Sequence, residues 1–155
     1  MKFQSKVVFF LATGGYVGRV PVAPGTFGSL AALPLSLLLA QMHPGRSGFV
    51  VILFILLAIG ISQAAERLLA RKDPGCIVID EMAGILVTFW GLPFSPLWAL
   101  SGFVVFRVLD ILKPWPIRQL EQRIAGGAGV VADDVAAGIL GNLLLRAVHL
   151  FSMAS

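Results

Sequence analysis

Phe49-Val50-Val51-Ile52-Leu53-Phe54-Ile55-Leu56-Leu57-Ala58-Ile59-Gly60-Ile61 carries no charged side chain and no side-chain hydrogen-bonding group. Four more apolar segments accompany it, at residues 30–42, 82–92, 97–112 and 135–151. Several fall short of the roughly 20 residues that a straight membrane-crossing helix needs, and each can be lengthened from its flanks. The segment at 82–92 grows to 76–92 if Asp80 and Glu81 lie inside the helix. The chain of 155 residues is 57% hydrophobic and 13% charged, with a mean hydropathy of +0.90. A soluble domain carries about 25% charge, and a core of this size cannot hide so much apolar surface. Lipid can take the remainder. The expectation is one domain over residues 1–155, an all-α polytopic membrane bundle of about four to five apolar helices.

Between the segments lie Gly- and Pro-rich connections. Residues 14–29 read as a structured loop rather than a helix. Residues 43–48 and 92–96 read as turns, and the three glycines within residues 125–129 break the chain before the last helix. Lys2 and Lys6 precede a short apolar stretch, residues 7–12, that is brief for a signal peptide and lacks a cleavage pattern. The N-terminus is therefore expected to stay in the mature protein.

The net charge of +4 and pI near 9.8 come without a basic stripe, so nucleic acid is not the expected partner. The positive-inside rule accounts for the cations instead. With the N-terminus inside and the sides alternating, Lys2, Lys6, Arg19, Arg67, Arg71, Lys72, Arg107, Lys113, Arg118 and Arg123 fall on the cytoplasmic side. Arg46 falls outside and Arg146 lies within the last helix. The same alternation, unprompted, carries Asp80-Glu81, the Arg107–Lys113 stretch and Asp133-Asp134 to the cytoplasmic face. The single Cys76 excludes an internal disulfide. His43 and His149 are isolated, and Trp90, Trp98 and Trp115 suit an interfacial belt.

Asp80-Glu81 and Asp133-Asp134 both sit among apolar neighbours. Carboxylates there are costly unless cations or a metal offset them. Adjacent acids repel one another and favour a divalent ion such as Mg²⁺, which takes oxygen ligands and keeps several waters. The bland alternative is a carboxylate at a helix N-terminus, favoured by the macrodipole. It suits Asp133 and Asp134, after the glycines, better than Asp80 and Glu81. Arg107, Asp110 and Lys113 share one helix face at i, i+3, i+6, before Pro114 and Pro116 end the helix. Asp110 suits a metal. Arg107 and Lys113 suit phosphate oxygens, Arg107 by its planar fork; an ion-pair ladder is the bland counterpart. Thr26 and Ser29 are N-cap candidates in a loop whose backbone N–H groups could cradle an anion.

At these residues the chain resembles the bacterial phosphatidylglycerophosphatase A family. The resemblance is carried by Pro24-Gly25-Thr26-Phe27-Gly28-Ser29, Ile79-Asp80-Glu81-Met82, Phe106-Arg107-Val108-Leu109-Asp110-Ile111-Leu112-Lys113-Pro114-Trp115-Pro116-Ile117 and the stretch 126–138 around Asp133-Asp134. It implies a Mg²⁺-dependent phosphatase that converts phosphatidylglycerophosphate in the bilayer to phosphatidylglycerol and phosphate. The site would face the cytoplasm from the bacterial inner membrane. Asp80, Glu81, Asp110, Asp133 and Asp134 would hold metal and supply one general base. Arg107, Lys113, Thr26 and Ser29 would bind the phosphate. The rival reading is a small transporter or ion pathway using the same acids.

A reporter fused to the C-terminus should lie on the non-cytoplasmic side. A cytoplasmic signal would overturn the alternation.

Overall fold

The computed structural model describes residues 3–154. Lys2, counted above among the inner cations, lies outside them. Among the described residues seven α-helices follow one another: α1 (Phe3–Ala12), α2 (Pro24–Ala40), α3 (Pro44–Leu69), α4 (Ile79–Phe89), α5 (Pro96–Leu112), α6 (Ile117–Arg123) and α7 (Gly127–Ala154). A 3-10 turn, Val17–Arg19, sits between α1 and α2. Among the described residues there is no strand. The all-helical expectation holds.

Local chemistry sets the ends. Pro24, Pro44 and Pro96 each open a helix, where a missing N–H costs nothing. His43 Nδ1 accepts from Gly45 N at 3.2 Å, and Ser95 Oγ accepts from Trp98 N at 3.3 Å. Lys113, in the left-handed conformation at φ 43°, ends α5 just before Pro114.

Three expected boundaries move, the first being that the turn read at residues 43–48 is already helix from Pro44 on. Residues 14–29 are not all loop, because α2 begins at Pro24 after Ala23 turns left-handed at φ 49°. The last helix begins inside the glycine run, at Gly127, rather than at Val135. Its first backbone N–H is met by Gln63 Oε1 of α3, 3.1 Å away. That partner from a distant helix is what lets a glycine-rich segment start a helix.

α4 is enclosed by protein: nine of its eleven residues are buried. Its apolar sequence faces neighbouring helices, which is why it can be shorter than a span. α3 has the opposite character. It is long and apolar enough to cross a bilayer, as is residues 127–153 of α7. Phe49, Ile52, Leu53, Leu56 and Leu57 line its outer face and are exposed, at the 3–4 residue spacing of one helix stripe. Leu97, Leu100, Val104, Val108 and Ile111 do the same on α5. Such stripes exceed what water tolerates on one molecule and match a lipid-facing surface. α1 and α2 are apolar but shorter.

The centre of the bundle is the pairing of α4 with α7. A Cβ at Gly138 would strike the carbonyl oxygen of Gly84, and one at Gly84 would lie 2.8 Å from the carbonyl oxygen of Asp134. Further along, Asn142 Nδ2 donates to the carbonyls of Thr88 and Trp90, both at 2.9 Å. The successive contacts show that the two helices run parallel. Small residues let membrane helices approach backbone to backbone, where hydrophobic burial alone supplies little drive. α3 also packs on α7, with Gly127 against Ile59 and Gln63.

Gly138→Val should destabilise the protein by about 1–3 kcal/mol in denaturation from detergent, since the side chain would push against the Gly84 backbone and the Cβ of Val87, neither of which can swing away. Gly60→Ala should be neutral or stabilising by about 0.5–1 kcal/mol, because a Cβ there meets nothing within 4 Å. Equal effects at the two positions would refute this account of the packing.

Candidate active site

Asp80 lies one turn before Gly84 on α4, and Asp134 one turn before Gly138 on α7. Because those glycines touch and the helices run parallel, the two carboxyl groups are drawn together. Both are buried, at 5% and 4% exposure, and each feels the other charges of the cluster. Asp80 is in electrostatic contact with Glu81 and Asp134. Asp134 is in contact with Asp110, Glu81 and Asp133. α5 brings its C-terminal end to the same place. There Arg107 Nη1 pairs with Asp110 Oδ2 at 2.6 Å, and Lys113 Nζ reaches across to Asp133 Oδ2 at 2.7 Å. All five acids and both cations singled out from the sequence therefore meet at one end of the bundle.

The helix-end explanation of the acid pairs is reversed by the structure. Asp80 and Glu81 occupy the first turn of α4, because residues 76–78 are not helical. They are held there as Val78 N donates to Ala12 O at 2.9 Å. Asp133 and Asp134, expected at a helix start, lie more than a turn inside α7, whose first turn holds no acid. A macrodipole accounts in part for the first pair and not for the second.

Five carboxylates face two cations, so the full set carries a formal excess of three negative charges when ionised. Arg107 and Lys113 are spent on Asp110 and Asp133. Buried oxygens of Asp80 (Oδ1), Glu81 (Oε2), Asp133 (Oδ1) and Asp134 (Oδ1) have no hydrogen-bond partner. Four such atoms in one cluster are far outside the ordinary habit of buried polar groups. Among the described residues no three of the acids are already closed around one point as a ligand set. The donors themselves are hard, anionic oxygens with free lone pairs, and this chemistry fits a divalent cation that keeps part of its water shell. Arg107 Nε is likewise buried and unpartnered, so its fork still has a donor to offer.

Thr26 and Ser29 do not cap a helix. Ala23 occupies the cap of α2, Thr26 is half-buried inside the first turn, and the buried Ser29 hydroxyl donates to Gly25 O at 2.8 Å. The residue of this stretch that meets the cluster is Gly25. A Cβ there would collide with Glu81 Oε1 and lie 3.2 Å from Arg107 Nη1. Only a glycine lets the start of α2 sit against both groups, and the N-terminal dipole of α2 then points at the cluster. Lys72 and Asp73, read from the sequence as a solvated stretch, line a small cavity of about 50 Å³ beside Asp133, together with Ile124, Gly126, Gly129 and Val130. Their nearness to Asp133 depends on the fold of the 70–78 segment, and no local pattern signals it.

Residues 10–149 match the family described as Phosphatidylglycerophosphatase A. A protein of Escherichia coli (strain K12) named "Phosphatidylglycerophosphatase A" is 38% identical over 131 residues, covering 84% of this chain and 76% of that one. A Haemophilus influenzae protein of the same name is 34% identical over 145 residues, 92% of this chain and 88% of its own. A Bacteroides thetaiotaomicron protein named "Putative phosphatidylinositol-3-phosphatase" is 32% identical over 153 residues, 94% of this chain and 95% of its own. No solved structure matches.

Asp80→Asn and Asp134→Asn, each removing one charge from an over-negative buried cluster, should raise stability in metal-free detergent solution by about 1 kcal/mol, as read by thermal denaturation. Destabilisation by both would mean that these acids hold the fold together instead.

Proposed function

The chain belongs to the phosphatidylglycerophosphatase A family and is a phosphatase, and from that premise we propose that it releases phosphate from phosphatidylglycerophosphate, with Mg²⁺, at the cytoplasmic face of a bacterial inner membrane. The observation that carries this reading is the cluster of four unpartnered carboxylate oxygens beside Arg107 and Lys113, at one end of a bundle whose outer stripes suit lipid. A lipid phosphate keeps its acyl chains in the leaflet and presents its phosphate near such an end.

In this reading Asp80, Glu81 and Asp134, which keep unpartnered oxygens, hold the metal, with Asp110 and Asp133 completing the set. Bound there, Mg²⁺ supplies Lewis-acid polarisation of the phosphoryl group and lowers the pKa of a water. Arg107 turns its fork, and Lys113 its ammonium group, from their carboxylate partners toward the phosphoryl oxygens as charge builds on them. One carboxylate of the five takes the proton of the attacking water. The water oxygen bonds to phosphorus, the bond from phosphorus to the glycerol oxygen breaks, and that oxygen takes the proton back from the same carboxylate and leaves as the alcohol. In this reading Thr26, next to Gly25 in the first turn of α2, offers its hydroxyl to the phosphate; Ser29 supports that turn through Gly25 O. An ion pathway fits less well, because acids would be needed along its length. Among the described residues α4, α5 and α7 hold no Asp or Glu beyond the cluster.

Phosphate release from phosphatidylglycerophosphate, phosphatidate and phosphatidylinositol 3-phosphate, with Mg²⁺ and with chelator, tests the proposal. Release should be fastest from the first and abolished by chelation. Release that survives chelation would remove the metal, and silence on phosphatidylglycerophosphate would remove the substrate. Asp80→Asn and Asp134→Asn should lower kcat by about 10²-fold or more while the protein stays folded. Gly25→Ala should be nearly as damaging, and Ser29→Ala should retain most of the activity. Full activity in both aspartate variants would overturn the site.

A further inference from the structure

Arg146 is a charged group that the phosphatase chemistry leaves unused. It lies twelve residues beyond Asp134 on α7, about 18 Å further along the helix axis. Its Nε donates to Asn142 Oδ1 at 2.7 Å and its Nη2 to Trp90 O at 2.8 Å. Gly91, at φ 67°, gives the guanidinium room against the backbone. These partners are neutral. Among the described residues Arg146 has no carboxylate partner, and its Nη1 makes no hydrogen bond. Trp90 Nε1 in turn donates to Pro44 O at 3.0 Å, which sets Arg146 level with the first residue of the long α3. That is the end of the bundle opposite the carboxylate cluster, where the α2–α3 and α4–α5 connections lie.

Beside Arg146 opens a groove of about 410 Å³, lined by Val87, Trp90, Ile139, Asn142 and Leu143. Ile139 and Leu143 are half exposed. The groove thus joins one uncompensated cation at the interface to an apolar wall running toward the membrane interior. We propose that it holds an anionic phospholipid of the leaflet opposite the cluster, its phosphodiester on Arg146 and its nearer acyl chain against Ile139 and Leu143. Charge complementarity selects this occupant. A zwitterionic lipid would bring an amine to a place that offers no acid to receive it. A second copy docked by the same face would set Arg146 against Arg146.

The test uses the full chain with Trp98→Phe and Trp115→Phe, leaving Trp90 as a local reporter, in vesicles containing brominated phosphatidylglycerol or brominated phosphatidylcholine. Trp90 fluorescence should be quenched preferentially by the anionic lipid, with a relative binding constant of about fivefold, the ratio that one basic residue near an anionic surface supplies. Arg146→Gln should abolish the preference and Arg146→Lys should keep it, with helicity by circular dichroism unchanged in both. Equal quenching by the two lipids in the parent, or a preference that persists in Arg146→Gln, would overturn the proposal. So would quenching by neither lipid, the result expected if a second copy covered the groove. None of these outcomes depends on what the carboxylate cluster hydrolyses.

Discussion

The backbone contact between Gly84 and Gly138 is what makes the rest of the arrangement possible. It lets α4 and α7 run side by side at a separation that any larger residue would forbid. Every acid of the cluster on those two helices is placed by it, since Asp80 and Asp134 each stand one turn before their glycine. The contact also explains the shape of the hydrophobic pattern. α4 is wrapped by α2, α3, α5 and α7, so its apolar residues answer to protein, and the lipid-facing duty passes to the outer stripes of α3, α5 and α7.

Bringing five carboxylates together in a poorly solvated place is unfavourable, and the fold offsets only part of it. Arg107 and Lys113 pair with Asp110 and Asp133, and the N-termini of α2 and α4 contribute positive potential. Asp80 and Asp134 keep unpartnered oxygens in spite of this. Stored unfavourable interaction of this kind is characteristic of sites that complete themselves with a ligand. At the other end of the bundle the logic is reversed. Asn142 and Arg146 supply donors to the carbonyls at the end of α4, and this keeps non-helical backbone satisfied where lipid offers no hydrogen bonds. One helix, α7, thus carries acids that need a cation near its start and a cation that needs an anion further on.

The five long apolar helices were legible in the sequence because their evidence is local, whereas the short α1 and α6 were not read as helices. Runs such as 49–61 and 97–112 announce themselves by composition, and the charged residues stand out against so little other charge. Boundaries were read less well wherever a distant residue decided them. Gln63 gives Gly127 its cap, and Ala12 O holds Val78 out of α4, so the acid pairs exchanged the positions expected of them within their helices. Gly25 escaped notice because a glycine in a Pro- and Gly-rich stretch reads as a turn. Its importance is the absence of a Cβ next to Glu81 and Arg107, which belong to other helices. Lys72 and Asp73 were missed for the same kind of reason.

Sequence alone was sufficient for the fold class, the lipid-suited composition, the acids and cations that the fold brings together, and the family they resemble. Each rests on residue type and short-range spacing, which survive without knowledge of the fold. The tertiary structure decided which apolar helix is enclosed and which are outward, which carboxylates are paired and which are left open, and that Ser29 turns inward while Gly25 meets the site. Those properties depend on contacts between residues far apart in the chain, and the periodicity of a single helix contains no information about its neighbours.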